Sequence, residues 1–497
     1  MASPTEFGLF IGGKWTMPPH ARRFETINPT NRESVGSFVS GTADDARAAV
    51  AAAQAAFRGW RDTPAPKRGE ILLEAARRMK QQKGTLGRIV TQEMGKVLSE
   101  GLGDVQEAID FLEYMAGEGR RLFGETVPSE LRNKFCMTVR QPKGVVVCIT
   151  PWNFPTAIPN WKMAAALISG NTVVFKPASA TSRCGAEVVR IYEEAGLPPG
   201  VVNLVTGSGG VVGNALVEDP HVRTVSFTGG VAAGRDVYVR GAQGLKMVHL
   251  ELGGKNPVIL MDDADLSLAL DGVLFGAFGT AGQRCTATSR LIVQAKVYDE
   301  FLGKLTDRLD RFRVGDPLDP ATGMGPVASS DQETKILEYI EIGRSEATLR
   351  YGGHKLTGGA YDRGYFLEPT IFETRHGTRI SKEEIFGPVL SVIRVADYDE
   401  AVRVANDVEY GLSSAIYTRD VNRAFRAIRD LEAGITYVNA PTIGAEVQLP
   451  FGGIKHTGNG GREAGSAAIE EFTEIKSVFI DFSSKLQKAQ IDSETAA

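Results

Sequence analysis

Three side chains, far apart in the chain, have the chemistry of a nucleophile, a base and a hydrogen-bond donor. Cys285 closes the segment Gly279-Thr-Ala-Gly-Gln-Arg-Cys285. Its small neighbours leave room for a substrate, and the adjacent guanidinium of Arg284 would favour the thiolate, the nucleophilic form. A lone cysteine is just as commonly a buried, inert thiol, so this context leaves both readings open. Glu251 ends an apolar run and enters Leu252-Gly-Gly254. A carboxylate there can be a general base if partial burial lifts its pKa, or it can simply cap a helix or hold a salt bridge. Asn153, between Trp152 and Phe154-Pro155, carries an amide able to donate to a developing oxyanion; Asn is also a common turn residue.

The glycines give a second signal. Gly207-Ser-Gly209-Gly-Val-Val-Gly213 reads GxGxxxG, one residue off the dinucleotide fingerprint and not placed after the first strand of its unit. As a fingerprint it is weak; as a loop where backbone approaches a ligand closely it is useful. Thr228-Gly-Gly230 ahead of a helix can place a diphosphate at a helix N-terminus.

These residues need elements to position them. Thr42 with Asp45 three residues on resembles a capping box ahead of a helix carrying Val50, Ala53 and Phe57. Further helices are expected around Glu70–Met79 and Val105–Glu118, after a short β element at Phe10–Trp15. From residue 144 the pattern changes to apolar strands alternating with helices. Strands are expected at 144–150, 172–176, 201–205, 222–227 and 246–251, with a helix near 186–195. This alternation predicts an α/β, doubly wound parallel sheet. Thr150-Pro-Trp-Asn153, Lys176-Pro-Ala-Ser179, Gly207-Ser-Gly209, Thr228-Gly-Gly230 and Glu251 all follow strand ends, where such sheets bind ligands. A second α/β region begins near 254, with later strands at 390–395, 415–418 and 435–439. Ile469–Ile480 is expected to form an edge strand, and the polar tail from Ser483 is expected to fray.

Composition excludes several classes. The chain has 497 residues, 56 Lys+Arg against 60 Asp+Glu, and 42% apolar residues. This length and balance fit two or three globular domains, and without a basic stripe no nucleic-acid or membrane-surface partner is expected. No apolar run approaches the roughly 20 residues of a spanning helix, and no secretory leader is visible. The four cysteines form no CxxC pair and the His residues are scattered, so no metal site is expected and a cytoplasmic setting is.

Together the motifs resemble the aldehyde dehydrogenase superfamily, from Phe10-Ile-Gly-Gly-Lys14 to Pro450-Phe-Gly-Gly-Ile-Lys455 and beyond. They are Pro151-Trp-Asn-Phe-Pro155, Phe175-Lys-Pro-Ala178, Phe227-Thr-Gly229, Leu250-Glu-Leu-Gly-Gly254, Gly282-Gln-Arg-Cys285 and Glu384-Ile-Phe-Gly-Pro388. The resemblance implies NAD(P)-dependent oxidation of an aldehyde through a thiohemiacetal and thioester on Cys285. Asn153 and the Cys285 N–H would hold the oxyanion, and Glu251 would activate the hydrolytic water. Lys176, to which the resemblance gives both a catalytic and a cofactor-binding part, and Glu384 resemble residues that bind cofactor ribose, and Phe386 one beside the nicotinamide ribose. Thr150, Pro151, Trp152, Ser179, Gly209, Gly213, Phe227, Thr228, Gly229, Gly230 and Leu252 match positions around the cofactor cleft.

Ser179 stands where many NAD-preferring members place a glutamate, so NADP is expected to be usable alongside NAD. Val105-Gln-Glu107, Asn439-Ala-Pro-Thr-Ile-Gly-Ala-Glu446 and the segment 484–490 are similar to the aminoadipic semialdehyde branch. Phe175-Lys-Pro-Ala-Ser179 is similar to the succinic and ketoglutaric semialdehyde branches. The resemblance therefore implies a carboxylated semialdehyde, with Glu107 and Arg284 at its remote end and Phe154, Trp161 and Phe451 as aromatic walls. Two rivals are a member that passes its thioester to coenzyme A and a silent structural protein on the same scaffold. The retained Glu251, Cys285 and Asn153 speak against both. The implied architecture has a dinucleotide-binding domain at 1–120 and 143–253, and a catalytic domain at 254–455. An oligomerisation arm at 121–142 and 466–484 and a flexible tail at 485–497 complete it, and a homodimer or homotetramer is expected.

Overall fold

The computed structural model describes residues 5–18 and 21–492. Two seven-stranded sheets carry the molecule. The first begins with a hairpin, β1 (Leu9–Ile11) and β2 (Lys14–Thr16), where a single element was expected over Phe10–Trp15. Gly12 and Gly13 have φ of 61° and 79°, which is what breaks the run into two strands. The capping box at Thr42 forms as expected: Asp45 N–H donates to Thr42 Oγ1, and Asp45 Oδ2 accepts from Thr42 N–H. It starts α1 (Ala43–Asp62), followed by α2 (Ala65–Met94) and α3 (Leu98–Glu118). Both α2 and α3 begin earlier than expected; in α2, Pro64 and Pro66 at the start suit a helix N-terminus.

A long strand, β3 (Lys134–Pro142), leads into β4 (Val145–Ile149), whose five residues are all buried. Then come α4 (Ala157–Ile168), β5 (Thr172–Lys176), α5 (Ser182–Glu194) and β6 (Val202–Leu204). They are followed by β7 (Val222–Thr228), α6 (Val231–Gln243) and β8 (Met247–Glu251). The sheet order is β8-β7-β4-β5-β6-β1-β2, with β8 to β6 parallel. The chain leaves β4 toward β5 and β6, then returns to β4's other side with β7 and β8. The order therefore reverses at β4, and a crevice opens beyond the carboxyl ends of β4 and β7, where such sheets take ligands.

The second sheet holds β9 (Asn256–Leu260), β10 (Thr288–Gln294), β11 (Thr348–Tyr351), β12 (Thr370–Thr374), β13 (Val389–Val395), β14 (Ser413–Tyr417) and β15 (Ile435–Val438). Its order is β11-β12-β13-β10-β9-β14-β15, parallel except for β11. A helix, α7 (Leu266–Phe278), precedes the turn that delivers Cys285. After Lys455 the chain returns to the first sheet, where Gly458 bridges Glu251 and Leu252 N–H donates to Thr457 O at 2.6 Å.

Ile469–Ile480 is not one strand. Ala468–Phe472 is a helical turn whose Ile469 and Phe472 are buried in the first core, and β16 begins at Thr473 and runs to Asp481. β16 pairs antiparallel with β3 over nine residues, from Thr473↔Pro142 to Asp481↔Lys134. Most of β16 is exposed, including Ile475, Phe479 and Ile480, as is Phe482 just beyond it, while β3 is mostly half-buried. Of the segment expected to fray, residues up to 492 are described. Gln487 Nε2 donates to Arg132 O at 2.9 Å, and Ala489–Asp492 form a helical turn. Residues 493–497 lie outside the described part.

Candidate active site

Two cavities meet at Cys285. One, of ≈ 630 Å³, is lined by Pro151, Trp152 and Asn153 after β4, Thr228, Gly229 and Gly230 after β7, and Leu252 after β8. Glu384 and Phe386 close it from the second sheet. The other, of ≈ 680 Å³, is lined by Glu107, Phe154, Trp161, Glu251, Arg284, Phe451 and Glu463. Cys285, Thr228, Leu252 and Ile158 line both, so the sulfur stands at the junction.

Neighbouring elements fix the loop that carries Asn153. Asp104 on α3 accepts from Ala157 N–H at 2.7 Å and Thr156 N–H at 3.3 Å, capping α4. Lys96 pairs with Asp104 at 3.2 Å and lies 3.7 Å from the Phe154 ring centroid. Asn153 is buried; its Nδ2 donates to Gln283 O at 3.1 Å, which ties this loop to the cysteine loop, and its Oδ1 has no partner. Beyond Cys285, Asn256 Nδ2 donates to Cys285 O at 2.8 Å and Ala287 O at 2.9 Å, while its Oδ1 accepts from Ser413 N–H. Gly254 is required beside it, because a Cβ there would come within 2.6 Å of Cys285 O.

The expectation that Arg284 lowers the Cys285 pKa is overturned. Burial and the carboxylates of Glu251 and Glu384 push the thiol up to about 12, against weaker help from the Cys285 and Thr286 N–H groups. The guanidinium is spoken for: Arg284 Nη2 donates to Glu100 at 2.8 Å and Nε to Thr280 Oγ1 at 2.9 Å.

Glu251 is buried, and burial together with Glu463 and Glu471 raises its pKa well above the ordinary carboxyl range. Its Oε2 has no partner, and Gly452 faces it so closely that a Cβ would lie 2.6 Å from Oε1. Behind it runs a buried polar chain. Lys162 Nζ contacts Glu463 Oε1 and donates to Ser226 Oγ at 2.9 Å, and His249 Nδ1 lies 3.7 Å from Glu471 Oε1. In the second cavity Glu107 is held by burial near a pKa of about 8.

The first cavity has features that suit the nicotinamide end of a dinucleotide. Gly230 caps the N-terminus of α6 with open space where a side chain would be, and Gly229 has none to give, since a Cβ would meet the Phe227 ring at 2.7 Å. Glu384 Oε1 accepts from Gly254 N–H at 2.9 Å and lies where a Gly253 Cβ would fall 2.3 Å from Oε2. Trp152 packs edge-on to Phe386, with ring centroids 5.5 Å apart.

Lys176, Ser179, Gly209 and Gly213 do not line this cavity but sit along the same sheet edge. Lys176 Cδ would be 3.8 Å from a Cβ on Gly213, its Nζ donates to Pro177 O, and burial brings its pKa down to about 8. Ser179 is exposed and donates to Gly207 O at 3.2 Å. Thr150 and Phe227 are buried behind the lining. Sequence reasoning missed Gln332, Lys335, Ile158, Gly253, Thr286, Gly444, Ala445 and Glu463. Only Gly253, Gly444 and Ala445 stood within segments that were singled out.

A reversing parallel sheet with a glycine-lined cleft at its carboxyl edge, and a cysteine at its junction with an acid-bearing cavity, define a nicotinamide-dependent dehydrogenase working through a thiol. The Aldehyde dehydrogenase family model matches residues 15–478, and the chain belongs to that family. It is an NAD(P)-dependent aldehyde oxidoreductase. It is 44% identical over 478 residues to the alpha-ketoglutaric semialdehyde dehydrogenase of Bacillus subtilis, covering 95% of this chain and 97% of that protein. It is 42% identical over 475 residues to the 2,5-dioxopentanoate dehydrogenase of Saccharolobus solfataricus, covering 94% and 98%. Among solved structures, the betaine aldehyde dehydrogenase of Staphylococcus aureus in complex with NAD+ superimposes with a TM-score of 0.94. That match has 35% identity and covers 96% of this chain and 95% of the other.

Proposed function

We propose that this enzyme oxidises aldehydes bearing a remote carboxylate to the corresponding acids, on Cys285. The observation that carries the reading is the shared wall. The one cysteine at the junction faces the nucleotide-shaped cleft on one side, and Glu251, Glu107 and Arg284 on the other. The relatives named for semialdehydes of keto acids support the substrate class.

In this reading the Cys285 sulfur adds to the aldehyde carbon and the thiol proton passes to solvent or Glu251. The Asn153 amide and the Cys285 N–H take the oxyanion, lowering the cost of the tetrahedral adduct. Trp152, Thr228, Glu384 and Phe386 would hold a nicotinamide nucleotide in the first cavity, with Lys176 farther along the same sheet edge, and the bound group would supply the hydride acceptor for the adduct carbon. Glu251 then removes a proton from water, which attacks the thioester carbon, and the carbon–sulfur bond breaks to release the acid. The raised pKa of Glu251 suits it to take a proton at neutral pH, and Glu463 and Lys162 offer that proton a buried way onward. Placing Glu251 in this cavity favours water over coenzyme A as the acceptor.

Arg284, which lines this cavity, attracts the carboxylate, and Phe154, Trp161 and Phe451 hold the chain between. Arg284→Ala should raise KM for succinic semialdehyde and leave KM for hexanal alone, whatever it does to kcat for both; equal KM changes sink the substrate class. Ser179 puts no carboxylate near the adenosine ribose, so NADP serves beside NAD; side-by-side kinetics with negligible NADP turnover would remove that part.

The first sheet with α1–α6 forms the dinucleotide-binding domain, the second sheet the catalytic domain, and the β3–β16 ribbon the oligomerisation arm. The ribbon's exposed Ile475, Phe479 and Phe482 support a dimer or tetramer in which another subunit covers them. A monomer by light scattering would contradict this. The four free thiols suit a reducing cytoplasm. Among the described residues no helix is long and apolar enough to cross a membrane.

A further inference from the structure

The turn that delivers Cys285 is backbone held against its preference. Thr280, Ala281 and Gly282 have φ of 54°, 52° and 67°, three successive left-handed residues, of which only the last is glycine. A β-branched residue there needs the surroundings to hold it. The holding group comes from another element. Glu100, on α3, accepts from Thr280 N–H with both carboxylate oxygens, at 2.9 and 3.1 Å, and from Arg284 Nη2 at 2.8 Å. Arg284 Nε closes the ring onto Thr280 Oγ1 at 2.9 Å. The fit is tight, since a Cβ on Gly279 would lie 3.0 Å from Glu100 Oε1. The guanidinium is wedged between Phe154 and Phe275, 5.4 and 5.2 Å from their ring centroids.

We infer that Glu100 is a positioning residue for the nucleophile: by clamping Thr280 and Arg284 it fixes the left-handed turn that aims the sulfur and N–H of Cys285. This rests on the reading of Cys285 as the nucleophile. The carboxylate acts at both ends of the turn. At one end it satisfies the Thr280 N–H; at the other it orients the residue directly before the cysteine. Arg284 therefore has two places in the structure: its Nε and Nη2 serve the loop, and the residue also lines the second cavity.

The test uses the full-length enzyme with Glu100→Ala, Glu100→Asp and, as control, Cys285→Ala. Misplacing a reacting group by about 1 Å can cost roughly a hundredfold in rate. Glu100→Ala should therefore lower the first-turnover rate and kcat by roughly tenfold to a hundredfold, for hexanal and succinic semialdehyde alike, with KM for NAD little changed. Alkylation of Cys285 by iodoacetamide should change as well, since its geometry is altered. Glu100→Asp, which keeps the charge but draws it back by one methylene, should lose at least about fivefold in kcat at unchanged thermal stability, and it decides the matter if the alanine variant does not fold. Parent-like kcat in either folded variant overturns the inference, as does an effect confined to KM for succinic semialdehyde. A Cys285→Ala enzyme that still turns over would instead sink the underlying mechanism.

Discussion

Raising the pH on the cofactor-free enzyme titrates the attacking sulfur directly. With the Cys285 thiol at about 12, roughly one part in 10⁴ is thiolate at pH 8, against about a tenth for an ordinary thiol near 9. The more basic thiolate is intrinsically more nucleophilic, and a Brønsted slope of about 0.4–0.5 returns roughly 16- to 32-fold over three units. The net expectation is alkylation by iodoacetamide roughly 30- to 60-fold slower than that of a small free thiol at pH 8, rising about tenfold per pH unit to pH 10. Peptide mass spectrometry separates Cys285 from Cys136, the other thiol that is not fully buried. Glu251→Gln removes the largest charge contribution and should move the curve to lower pH. A rate that levels off below pH 8 would refute the reasoning. It would mean that the Arg284 charge, and not burial with two carboxylates, governs the sulfur.

Three further outcomes are expected. Glu251→Gln should give a burst of about one reduced nicotinamide per site and then steady turnover slowed about 10²–10⁴-fold, read at 340 nm; no burst would place the base elsewhere. Lys162→Met leaves Glu463 buried without its cation and should cost about 3–5 kcal/mol in urea unfolding; a cost under about 1 kcal/mol would show the pair is not desolvated as described. Gly452→Ala puts a methyl 2.6 Å from Glu251 Oε1, at a φ of 151°, and should lower kcat at least about tenfold while the far-UV circular dichroism stays unchanged.

Much of this was legible before any coordinates. Thr172–Lys176 is a strand to the residue, because a run buried on both faces carries no period and ends where polarity returns. Glu251 at the end of β8 follows from the same rule, and residues after β4 and β7 gather because the sheet order reverses there. Ile469–Phe472 misleads because its apolar side chains serve a helical turn packed on the core. The roles of Glu100, Gln283, Asn256 and Lys162 were invisible for another reason: each acts through a contact 29 or more residues away in sequence, and no local pattern encodes such a contact. Arg284 shows the limit of adjacency. Being next in sequence to Cys285 puts its charge on the far side of a turn, against Glu100, and not on the sulfur.

Cys285 is a partition with a doorway on either side. A molecule arriving through the aromatic vestibule need not push past one lodged in the glycine-lined recess, so neither visitor has to leave before the other can. Traffic of acid product and spent nucleotide can thus follow separate exits, and congestion at one leaves the other clear.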